Sequence, residues 1–155
     1  MRQQRWFPIA ALAVGLFAIN VVARLVTRFV FDGDDAAEGH ASIAMFSMIG
    51  LVLAVCTFLV CQRRRPSEWL PDLVFGALAG MLLTILAGPF VSGTQPFSGG
   101  AGNFFSQVWL YGGFAIGGTL VGYWVAVALA KDYRSRSLKA YTESRQAKPR
   151  KVVRR

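Results

Sequence analysis

Few residues in this chain could do chemistry, and most of them stand in one short stretch. Asn20, Arg24 and Arg28 recur every four residues, so a helix would stack them on one face as a polar stripe. Arginines near the end of an apolar helix are candidates for holding an anion, a lipid headgroup or a carboxylate of a partner subunit. Just beyond them come Asp32, Asp34, Asp35, Glu38 and His40, oxygen and nitrogen donors that could hold a divalent ion. Calcium loops need spaced ligands around a specific glycine turn, and this stretch does not fit that pattern. The expectation is a solvated acidic loop that neutralises Arg24 and Arg28 through Asp32 or Asp35, with no metal site.

The remaining candidates are weaker. His40 is the one histidine of the chain, which excludes haem held by paired histidines and any His-rich metal site. Cys56 and Cys61 are five apart, which matches neither a CxxC pair nor a disulfide framework; they read as packing residues facing a reducing compartment. The run Gly99, Gly100, Ala101, Gly102 lacks the Lys and Ser/Thr of a phosphate loop and follows no strand. No acid/base pair lies within an apolar run. The chain is therefore expected to have no catalytic residue, no cofactor and no enzymatic activity.

The elements that must position the Asn20 stripe follow from where charge is absent. The chain has 155 residues and is 54% hydrophobic. Between Asp72 and Lys131 lie 58 residues without a charge, and between Glu38 and Arg63 another 24. A span needs about 20 apolar residues, so the long gap accommodates two helices and the short gap one. The run from Trp6 to Ala23 makes four, with Pro8 in the first turn, where its missing N–H costs nothing. The predicted fold is an all-α integral membrane protein, a four-transmembrane-helix bundle with spans at about 6–28, 41–61, 69–91 and 106–130 and a basic tail over 131–155.

Charge also predicts orientation. Placing the N-terminus, the 62–68 turn and the tail on one side gathers fifteen of the seventeen basic residues there, so both termini are expected in the cytoplasm. The expected location is the cell membrane, a bacterial inner membrane, with Trp6 and Trp69 at its inner boundary and Trp109 at its outer one. Ten basic and two acidic side chains in the tail predict attraction to anionic lipids; nucleic acid is not expected, because the tail carries no recognised binding motif. The first part of the tail could continue the fourth helix.

The last apolar segment carries Gly112, Gly113, Gly117, Gly118 and Gly122. In water each would cost a helix about 1 kcal/mol relative to alanine, whereas in a bilayer the helix is enforced and small residues let a second backbone approach. Gly118, Gly122 and Ala126 form one ridge, and Gly113 with Gly117 a second. Gly76 and Gly80 in the third span are the expected partner surface, so spans three and four should pack tightly. From these faces the chain is expected to be an accessory, assembly or scaffold subunit that meets other membrane subunits or itself. The alternative is a small oligomeric transporter or channel component with an outward polar stripe at Asn20, Arg24 and Arg28.

Overall fold

The computed structural model describes residues 6–30, 35–91, 93, 95 and 100–147, excepting the side chains of Arg28, Val30, Asp35, Ala36, Ala37, Glu38 and Ala147. Among these residues the chain is all-helical. Helix α1 is Trp6–Val30 and α2 is Asp35–Cys61. Helix α3, Pro66–Val91, is α-helical to Leu82, π-helical over Leu83–Ala87 and α-helical again from Gly88. Helix α4 is Gly100–Ala128 and α5 is Tyr133–Ala147. Four of these helices are long and apolar enough to cross a membrane.

Three boundaries move relative to the spacing of charges. Helix α2 begins at Asp35 rather than near Ala41. Part of the expected acidic loop is therefore helix, while Asp32 and Asp34 lie outside the described residues. Helix α3 begins at Pro66, whose fixed φ suits a first turn and which leaves no N–H to satisfy. Helix α4 takes in residues 100–105, ahead of the expected start of the span at about 106, starting from a Gly100 at φ +77 that a side chain would oppose.

The outside of the bundle is apolar. Phe7, Phe29, Phe75, Trp109, Ile116 and Trp124 are between 62% and 79% exposed. Such a surface suits acyl chains and not water, while the helices keep every backbone group bonded within the segment. Inside lie Leu16, Ile49 and Leu53, fully buried, with Phe46 stacked on Phe114 and edge-on to Tyr111 at 6.4 Å in each case. Trp69 is buried beside Tyr123, their rings 6.4 Å apart.

The tail does not simply prolong α4. Lys131 N–H donates to the Ala126 carbonyl and Ala130 N–H to that of Val127, both at 2.9 Å, with Ala130 at φ +50. This is a Schellman stop built on alanine where glycine is usual. Asp132 then starts α5, its Oδ2 accepting from the Arg134 N–H at 3.1 Å and the Ser135 N–H at 3.4 Å. The Ser135 hydroxyl, then these backbone donors, hold the carboxyl below its ordinary range against the opposing effect of burial. A depressed folded pKa means the cap contributes above the unfolded value of about 3.9 and is lost as pH falls through the lower folded value. Asp132→Ala should cost α5 about 1 kcal/mol near neutral pH and nothing in strong acid. Amide exchange of residues 134–139 checks this; equal loss at both pH values would remove the carboxylate from the account.

Candidate functional site

The best-defined polar constellation is built on α1 and the C-terminal half of α3. Asn20 is fully buried. Its Nδ2 donates to the Met45 sulfur of α2 at 3.0 Å, and its Oδ1 accepts from Arg24 Nε at 3.2 Å. Arg24, one turn on, is half-buried and has a further interaction besides this one. The sequence placed these two on a common face, and the structure turns that face into the bundle. The Arg28 side chain is not among the described groups, so the expected third member, and its pairing with Asp32, lie outside the description.

What admits a guanidinium here is Gly88. A Cβ at that position would stand 2.7 Å from Asn20 Oδ1 and 3.1 Å from Arg24 Nε, so any side chain would displace the pair. Gly88 is carried into place by the π-helical turn, its N–H donating to the Leu83 carbonyl five residues back. The cause lies one residue further on: Pro89 has no N–H for the Ile85 carbonyl, and its ring would press on that oxygen. A widened turn relieves the clash, and π-turns of this kind often mark functional sites. Thr84 lies between Gly80 and Gly88 on this face, buried with its hydroxyl unpartnered.

Below the polar pair, α1 and α3 run parallel. Gly76 receives Leu12 and Gly80 receives Leu16, where an added Cβ would come within 2.7 Å and 3.2 Å of those side chains. Tyr111 of α4 reaches over Gly80 to donate to the Ala77 carbonyl at 3.1 Å. The expected partnership of Gly76 and Gly80 with the ladder of the fourth span is therefore wrong: they are holes for the leucines of α1. Contact between α3 and α4 is slight.

The ladder itself meets α2. A Cβ on Gly118 would collide with the carbonyl oxygen of Gly50, and one on Gly122 with that of Ala54; the Cα atoms of these partners would lie only 2.8 Å and 2.9 Å away. The hydrogen that each glycine carries in place of Cβ points at a carbonyl oxygen, a Cα–H···O contact between parallel helices. Ala126, lower on the same ridge, is fully buried. Gly50 and Ala54 are a small pair at the same four-residue spacing, a signal readable in the sequence yet hidden in a strongly apolar segment. Gly113 and Gly117 are different again. A Cβ at either would meet nothing within 4 Å, so the second ridge is not used inside the chain.

The buried amide, guanidinium and thioether can hold a helix register or an anionic group. They include no nucleophile with an adjacent base. Among the described residues no three His, Cys, Asp or Glu side chains gather where they could ligate one ion. Compared with protein-family models, with curated proteins and with solved structures, the chain gives no significant match.

Proposed function

We propose that this chain is a non-enzymatic, multi-pass subunit of the cell membrane, an accessory, assembly or scaffold component that works through lateral helix contacts, with both termini in the cytoplasm. The observation that carries this reading is the open ridge of α4. Gly113 and Gly117 are exposed, flanked on the same face by Trp109, Ile116, Leu120 and Trp124, also exposed. A glycine against lipid has no side chain to pack, whereas the same spacing one face round, at Gly118 and Gly122, lets the backbone of α2 come into contact. A second helix is the occupant that suits a ridge of that kind.

Cysteines placed singly at Gly113 and Gly117, in a chain with Cys56 and Cys61 replaced by alanine, should form intermolecular disulfides in native membranes. Gly117→Leu should weaken association about tenfold while leaving the unfolding temperature of the single chain within about 2 °C. No cross-linked species together with an unchanged assembly size would sink the proposal. A stoichiometric foreign protein among the cross-linked products favours an accessory subunit; a pure homo-oligomer favours a scaffold.

A second reading, a small oligomeric transporter or channel component, draws on Asn20 and Arg24, which pack among helices instead of facing lipid. It would be favoured by solute flux in proteoliposomes that Arg24→Met abolishes without loss of stability.

A further inference from the structure

Helix α5 has no large contact with the bundle, and its side chains from Arg136 to Gln146 are exposed. Its residues sort by face. Arg134, Leu138, Tyr141 and Arg145, at i, i+4, i+7 and i+11, share one stripe. Leu138 is 65% and Tyr141 54% exposed, and the Arg145 guanidinium lies 5.0 Å over the Tyr141 ring. Glu143, the one carboxylate of α5 itself, falls on the opposite side with Arg136 and Lys139. The hydroxyls of Ser137, Thr142 and Ser144 are turned back onto carbonyls of the helix itself at 2.8 Å, so they ask nothing of a partner. The stripe thus presents two apolar side chains between two cations, with no acid on it. It begins four residues beyond Ala130, where the last apolar helix has stopped.

We propose that this stripe docks on the anionic headgroups of the leaflet from which the tail emerges, Leu138 and Tyr141 entering the interface and Arg134 and Arg145 pairing with phosphates. Charge complementarity and position argue together: a basic face with an apolar centre, tethered by a four-residue turn at the end of a span, is held within reach of lipid phosphate. Docking of α5 rests on the four apolar helices crossing a bilayer but not on the use of the Gly113 ridge.

The test uses the full chain in nanodiscs, one set of pure phosphatidylcholine and one with added phosphatidylglycerol, with amide exchange read over residues 136–146. Insertion is read separately, by co-elution of the chain with the discs, so a failure of the membrane reading is distinguished from a failure of docking. Exchange should be about tenfold slower in the anionic discs, and most of that protection should vanish at about 1 M salt, where the screening length is about 3 Å. Arg134→Gln/Arg145→Gln, which preserves helix propensity, should abolish the protection, as should Leu138→Ser/Tyr141→Ser with charge unchanged. Arg136→Gln/Lys139→Gln should leave it in place. Equal exchange in both discs overturns the proposal, and so does equal loss in the Arg134/Arg145 and Arg136/Lys139 pairs, which would mean diffuse attraction by the tail. Protection that requires added nucleic acid or rises with protein concentration assigns the stripe to another partner and overturns it too.

Discussion

Gly122→Ala should destabilise the bundle by about 3 kcal/mol, and Gly122→Leu by more, although a single methyl group is all that alanine adds. The reason is what stands opposite. At Gly76 an added Cβ would meet the end of the Leu12 side chain, which can rotate away; at Gly122 it would meet the Ala54 carbonyl, which cannot. The α2 and α4 backbones would have to separate along the seam, giving up the Gly118 to Gly50 approach as well. Gly117→Ala, five residues away on another face, is the control: its Cβ meets nothing within 4 Å, and its effect should stay within about 0.5 kcal/mol. Unfolding in detergent by heat or denaturant measures both. Similar losses at 117 and 122 would mean that the seam has been assigned to the wrong face.

The second large effect is expected at Asn20. Asn20→Ala removes a fully buried amide, leaves the Arg24 Nε–H without this acceptor and opens a small cavity beside Gly88, for a combined cost of about 2 kcal/mol. Arg24→Met keeps the aliphatic stem and removes the donor. In the double mutant the two losses should fall short of additivity by about 1 kcal/mol, the net worth of a typical intramolecular hydrogen bond. Additive losses would show that Arg24 draws its position from its other partners and not from Asn20. Gly88→Ala offers an independent check, because its Cβ would strike the same pair and should weaken their coupling.

That Asn20 and Arg24 share a face was legible from a four-residue spacing, because a helix stacks such positions whatever surrounds it; that Asn20 itself would accept from Arg24 was not. Burial was not legible. Eighteen residues from Trp6 bring Arg24 about 27 Å along the helix, near the membrane surface, where snorkelling and inward packing are both open to it. Inward packing depends on Gly88, sixty-four positions away, and on a π-turn that only the neighbouring Pro89 hints at. Met45 gave no signal at all, since a thioether acceptor looks like any apolar side chain in an apolar run.

The sequence by itself determined the number of long apolar helices and their order, because the cost of charge in an apolar medium is local and can be read residue by residue. It also determined which positions are small enough for a second backbone to approach. Tertiary structure alone decided who approaches. Small pairs at four-residue spacing occur on α2, α3 and twice on α4, and such a ridge accepts any helix of suitable height. The choice of α2 for Gly118 and Gly122, and of α1 for Gly76 and Gly80, follows from parallel pairing: Gly50 and Ala54 stand at matching heights with the ladder, while α1 offers leucines where α3 offers holes. Complementarity of that kind belongs to two surfaces at once, so neither helix carries it alone.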